Sequence, residues 1–307
     1  MNATNNANSI TTCIGRVGAL AVAAGIGTGL VAAPWVASAT PPSSTASSTS
    51  MDASTNDTRP GPCHSTCKSA DFSVSTNGVT RVQRGSAYAT SSGTGSVAIA
   101  NGAGSTAVAS GDYDRARVKG VDSTATVTAG THDTATVTGD NSLAVADAGS
   151  YNTATVNGDN SMAVAGAIVH LYPVGGSHNT ASVNGDNSNA VATDGSYNTA
   201  TVTGDNSTAY AGSIGLDSAG GSYNTASVTG DNSSALAKNG NYNNATVLGD
   251  GSQATAGFGN YNNAAVVGDG SQAGDGQGSS DTAIAIGDGL NAFATWGDGI
   301  TIDVVAP

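Results

Sequence analysis

Three sets of side chains in this chain of 307 residues are of types that could do chemistry. One is a series of carboxylates, Asp140, Asp159, Asp186, Asp205, Asp231, Asp250, Asp269 and Asp288, each set in Gly-Asp-Asn or Gly-Asp-Gly. Carboxylates stacked about 5 Å apart repel by roughly 1–3 kcal/mol, and bound Ca2+ completed by turn carbonyls would relieve that repulsion. Calcium is one expectation for this row; the other is that Asp supplies the local bond of an Asx turn. The second set is aromatic: His132, Tyr151, His178, Tyr197, Tyr223, Tyr242 and Tyr261 recur at one repeat position. Such a row could receive sugar rings or stack on itself. The third set is Cys63, His64 and Cys67 in "CHSTC". It reads as a Cys63–Cys67 disulfide or as three metal ligands without a fourth nearby.

Enzymatic chemistry is poorly supplied. Glu is absent, the four His (His64, His132, His170 and His178) stand in unrelated contexts, and no Ser/His/Asp spacing emerges. The chain therefore reads as a non-enzyme with no small-molecule substrate and, calcium aside, no cofactor. Its net charge of −13 comes from Asp, and beyond Lys119 the only basic residue is Lys238. Nucleic acid binding needs Lys and Arg to displace counterions, so that class is excluded.

What must position these groups is a repeat. Aligned on the central Ala of each short alternating run, Ala125, Ala135, Ala144, Ala154 and Ala163 step by 9 or 10 residues, giving a period of 19. Asn152, Ala154 and Val156 in "NTATV", and Ser161, Ala163 and Ala165 in "SMAVA", recur almost unchanged, whereas the positions between them drift. Side chains alternate faces along a strand, so the constant set points inward. Gly, Asp and Asn between the runs suit tight turns. Two strands and two turns per coil, stacked in register, predict an all-β, two-sided parallel β-solenoid over 71–307. With a core of Ala and Ser, its stability must lean on backbone ladders and stacked Asn and Ser. Phe293, Trp296, Ile300 and Ile302 are expected to close the C-terminal end, and residues around Phe72 to Val82 the other.

Outward on the "NTATV" strands lie Thr134/Thr136, Thr153/Thr155, Thr180/Ser182, Thr199/Thr201 and Thr225/Ser227, with Arg115, Arg117 and Lys119 on the same face one coil earlier. Thr is also simply a good residue for an exposed strand. Two inserts, 166–176 and 212–221, leave after the "SxAxA" strand and carry Ile168, Val169, His170, Leu171 and Tyr172, and Ile214 and Leu216. Loops on a rigid scaffold often bind partners, so these residues are a candidate partner site; folding back over the sheet edge is the alternative. Residues 1–39 read as an export signal, with Arg16, the apolar run Val17–Ala33 and "VASA" before Thr40. A retained anchor over Val17–Ala39 is the other reading. Residues 40–70 read as a Ser/Thr/Pro-rich linker with a small Cys loop.

Two stretches, "SVAIANGAGSTAVASG" (Ser96–Gly111) and "DTAIAIGDGLNAFATWGDG" (Asp281–Gly299), resemble the repeats of trimeric autotransporter adhesin heads. The resemblance implies a left-handed β-roll, homo-oligomerisation and binding to host matrix or cell surfaces, although the coil here is longer and no heptad stalk or barrel anchor follows. The Thr-x-Thr array is similar to the ice-binding face of β-helical antifreeze proteins, which implies hydroxyls and methyls that organise water. "IGRVGALAVAAGIG" (Ile14–Gly27) resembles actinobacterial export signals. Together these expectations describe a secreted or cell-surface rod binding matrix or glycan, with ice binding and a calcium-stabilised scaffold as alternatives.

Overall fold

The computed structural model describes residues 71–166, 176–212 and 221–306. The expected signal, the linker, Cys63, Cys67, and the insert residues Ile168–Tyr172, Ile214 and Leu216 lie outside the described residues. Those described form strands and turns, with no helix among them. The first six strands are β1 (Phe72–Thr76), β2 (Val79–Arg84), β3 (Tyr88–Ser92), β4 (Val97–Asn101), β5 (Thr106–Asp112) and β6 (Arg115–Lys119).

From β3 onward successive strands alternate between two sheets, and every pairing within a sheet is parallel. Sheet A has 13 strands in the order β2-β1-β4-β6 and then each later even strand; sheet B has 11, from β3 and β5 onward. Ala135, Ala154, Ala181, Ala200, Ala226, Ala245, Ala264 and Ala283 are direct neighbours in sheet A. The two longer steps, Ala154 to Ala181 and Ala200 to Ala226, keep the same register, their extra residues falling between strands in the sequence. At the N-terminal end the step is one residue shorter, as in Ala98 to Ala116. Ten strand spacings make sheet B roughly 48 Å long. The chain is thus a two-sided parallel β-solenoid.

Its interior is as thin as the sequence requires. Asn152, Ala154 and Val156 from sheet A, and Ser161, Ala163 and Ala165 from sheet B, are all buried, and the same sets are buried coil after coil. Sheets this close leave no room for a larger side chain, and Val is the largest aliphatic residue fully buried. Backbones also touch between coils. Gly139, at φ +142°, would place a Cβ 2.0 Å from the Gly158 carbonyl oxygen, so only glycine fits.

Both ends are closed, by different means. β1 runs antiparallel to β4 and turns its buried Ser73 and Ser75 toward β3, whose Ala89 and Ser91 N–H groups donate to their hydroxyls at 3.0 Å. β2 then covers the edge of β1 with a strand bearing Arg81 and Arg84, a charged edge that discourages further pairing. At the C-terminal end Ile300, Ile302, Val304 and Leu290 pack on the core. Phe293 and Trp296 do not join them: they are 50% and 78% exposed. The reason is strand parity. Phe293 lies at an outward position of its strand, over Gly274, and Trp296 stands in the following turn.

Candidate functional site

Three rows of hydrogen bonds run along the solenoid and set what its surfaces can offer. In the first, Asn152 Oδ1 accepts the Asn179 N–H at 3.0 Å while its Nδ2 donates to Gly176 O at 3.0 Å. Asn179, Asn198, Asn224, Asn243 and Asn262 repeat that pair of bonds toward the next coil. In the second, each buried Ser hydroxyl accepts the N–H of the next Ser and donates to a glycine carbonyl, as Ser161 does with Ser188 (3.1 Å) and Gly185 (2.8 Å). Both rows satisfy polar groups that burial would otherwise leave costly. They end at Leu290 and Ile300, which stand where Ser and Asn stood and whose N–H groups donate to Ser271 Oγ and Asp281 Oδ1 at 2.9 Å.

The third row is the turn carboxylates. Asp159 Oδ1 accepts the Asp140 N–H at 2.7 Å, and Asp186, Asp205, Asp231, Asp250, Asp269 and Asp288 each accept from the coil before at 2.8–2.9 Å. The bond joins coils, where an Asx turn would close within one. Among the described residues no group of three or more His, Cys, Asp or Glu is placed to hold a metal ion. One oxygen of each Asp is taken up by a backbone N–H.

The aromatic row is an unbroken stack. Tyr113, His132, Tyr151, His178, Tyr197, Tyr223, Tyr242 and Tyr261 have ring centroids 4.7–5.0 Å apart and interplanar angles of 1–19°. Every one of these residues has φ between 60° and 62°, a conformation a bulky side chain ordinarily avoids. Each N–H donates to a carbonyl of the preceding coil, as Tyr197 does to Ser177 O at 3.0 Å, and Ser280, next in the column and without a ring, makes the same bond at φ 64°. Tyr113, which precedes the row read from the sequence, belongs to it. The tyrosines stay about half exposed, yet each interior ring spends both faces on its neighbours. Ring edges and hydroxyls face outward, so a sugar cannot lie flat on an interior ring.

Among the described residues no element covers the outer face of sheet A. Thr134, Thr153, Thr180, Thr199 and Thr225 form one row, and Thr136, Thr155, Ser182, Thr201 and Ser227 a second, in strict register. Sheet B differs: outward-facing Val164 and Val191 are only 8% exposed, Thr193 is buried, and burial pushes the Tyr210 phenol up to about 12. Among the described residues, sheet A therefore carries the longest open, repetitive face.

Sequence reasoning missed four buried acids. Asp114, Asp133 and Asp281 occupy positions held by Asn elsewhere, and each Oδ1 accepts the N–H of the next coil at 2.6–3.0 Å. Each Oδ2 lacks a hydrogen-bond partner among the described residues. A Cβ built on Gly130 would lie 2.1 Å from Asp133 Oδ2 and 1.9 Å from Gly149 O, so the two oxygens face each other across that glycine. Where Asn puts an N–H donor, Asp133 has a donor only when protonated. Burial, with a smaller push from Asp114 and Asp147, raises its carboxyl to about 7; burial raises Asp114 too. Asp275 replaces an inward Ala, both its oxygens unpartnered, and burial with neighbouring Asp281 lifts it to about 8. Aligning the repeats by column, with Asp read against Asn and Ala, is the signal that would have found them.

No protein-family model matches the chain, and no curated protein is significantly similar to it. The fold alone defines its class, a β-solenoid repeat protein.

Proposed function

We propose that this β-solenoid is an exported structural or adhesive rod at the cell surface, binding matrix or glycan polymers along the outer face of sheet A and the adjoining aromatic edge. The observation that carries the reading is the open sheet A face, repeated in register over successive coils between two closed ends. A rigid surface with a fixed period suits a partner that itself repeats, because each added contact is already in place and little further entropy is lost. Catalysis finds no support in the side chains at hand. An array of matrix proteins and glycans probed with the full chain tests the reading. Saturable binding supports it, and the absence of saturable binding to every arrayed polymer overturns it.

One observation favours a second reading. The two hydroxyl rows on sheet A span five coils in strict register, the arrangement an ice-binding face requires. Arg115, Arg117 and Lys119 before it, and Asn244, Leu248, Asn263 and Val267 after it, confine that array to the middle of the solenoid. Thermal hysteresis that Thr201→Tyr abolishes would support ice binding; no hysteresis in the parent chain rejects it.

A further inference from the structure

The basic residues are not spread over the molecule. Of the six among the described residues, five, Arg81, Arg84, Arg115, Arg117 and Lys119, lie at the N-terminal end of sheet A, all exposed. Strand register puts them on one face. Val74 pairs with Val82 on one side and Ile99 on the other, and Ile99 with Arg117. Phe72 pairs with Arg84 and Asn101, and Asn101 with Lys119, while Val97 pairs with Arg115. Arg81 reaches the same side, its Nε donating to Thr76 Oγ1 at 3.0 Å. Phe72, Val74, Val82, Val97 and Ile99, each partly buried, thus form a flat apolar strip between two arginines on β2 and three cations on β6.

The two cationic walls are three strand spacings apart, about 14 Å, and the β6 wall is about 13 Å long. Among the described residues none of the five has an ion-pair partner. Among the described residues, the strands of sheet A turn one carboxylate outward, Asp303, in the last strand at the opposite end. A protein of net charge −13 that gathers its exposed cations around an apolar strip has built a local site for an anion. Arginine presents a planar fork that fits carboxylate, sulfate and phosphate groups two bonds at a time.

We propose that this framed strip binds an anionic polysaccharide, its acid groups held by Arg81, Arg84, Arg115, Arg117 and Lys119 and its C–H faces laid on the Val, Ile and Phe strip. The proposal rests on the polymer-binding reading above and names its chemical class. Charge complementarity selects the anion. The five apolar side chains of the strip are each partly buried, and beside them only Val79 is well exposed, too little apolar surface to enter a bilayer as a membrane-surface element does. A broad anionic membrane would also repel the acidic remainder of the chain, whereas a narrow polymer touches the patch alone.

The test uses the full chain, with polygalacturonate and its fully methyl-esterified form as probes. The triple variant Arg115→Thr, Arg117→Thr, Lys119→Thr installs the residues that Thr134, Thr136 and Thr138 supply one coil later, so the fold is kept; unchanged circular dichroism checks this. We expect the parent chain to bind polygalacturonate, the methyl ester to bind at least about tenfold more weakly, and the triple variant to lose about tenfold or more. Binding should also weaken as salt rises. Equal binding by the triple variant, or equal binding of the methyl ester, overturns the proposal. So does binding to anionic phospholipid vesicles with none to polygalacturonate, or a parent dimer in sedimentation that the triple variant abolishes. If arrayed neutral polymers bind and the triple variant binds them equally, while polygalacturonate does not bind, this inference fails and the broader reading stands. If nothing binds, both fail.

Discussion

Replacing Asp133 by Asn should make the solenoid more stable at neutral pH and leave it unchanged in acid. Asp133 stands in a column where Asn donates to a carbonyl of the next coil, and its Oδ2 faces Gly149 O. Burial raises its carboxyl from 3.8 to about 7. A raised folded-state value means the folded chain binds the proton more tightly than the unfolded chain. Its stabilising contribution is therefore complete below about pH 3.8 and is lost progressively as pH rises through about 7. One unit corresponds to about 1.4 kcal/mol, so roughly three units set an upper limit near 4 kcal/mol. Water at the edge of so thin a core reduces this, and 2–4 kcal/mol is a working range. In the Asp133→Asn variant the amide supplies the missing donor at every pH. The expected gain at pH 8 is roughly 4–10 °C in Tm, falling to nothing near pH 3.5. Thermal melts of parent and variant between pH 3.5 and 8.5 measure it. Hydrogen exchange at the Asn152 N–H, which donates to Asp133 Oδ1, localises it to the N-terminal coils. Parallel pH profiles for parent and variant, or a variant less stable at pH 8, would refute the reasoning. Either result would mean that the charged carboxylate is held by its short bond to Asn152 and that Oδ2 needs no donor.

Three further outcomes follow from the same geometry. Asp275→Ala, which installs the residue found at Ala294 in the following coil, should raise stability above neutral pH by roughly 2–4 kcal/mol and have little effect below pH 4, in the same thermal series. Asn198→Ala removes the acceptor for Asn224 N–H and the donor to Gly221 O and Thr193 O, and should cost about 2–4 kcal/mol by denaturant titration at any pH. Asn198→Asp should recreate the condition of Asp133 in mid-solenoid: near parental stability at pH 4 and a loss of several degrees in Tm at pH 8. A loss that is the same at both pH values would refute it.

Much of this molecule could be read from its residues because each repeat states the same instruction. Alternation in "NTATV" and "SMAVA" specifies which side chains point in, and small inward residues limit the gap between sheets. The period places each strand on its equivalent. The Thr rows, the carboxylate row and most of the aromatic row follow from that register alone. Some features depend on where the chain goes next, and periodicity does not contain that. Phe293 and Trp296 looked like end caps by size, but strand parity and the last turn put them outside. The turn carboxylates could be read as a calcium row or as Asx turns; what spacing did not contain is that each accepts an N–H of the preceding coil.

The sequence by itself determined the repeat, the buried faces and the order of rows, because two-fold alternation and a fixed period are local properties that any register-keeping stack must obey. Tertiary structure decided which polar atoms find partners. It decided that Tyr residues hold left-handed conformations, that one oxygen each of Asp114, Asp133 and Asp281 faces a carbonyl, and that Arg81 and Arg84 join Arg115, Arg117 and Lys119 around one strip. Those outcomes depend on the antiparallel return of β1 and β2 and on the distance between stacked coils, and spacing along the chain encodes neither.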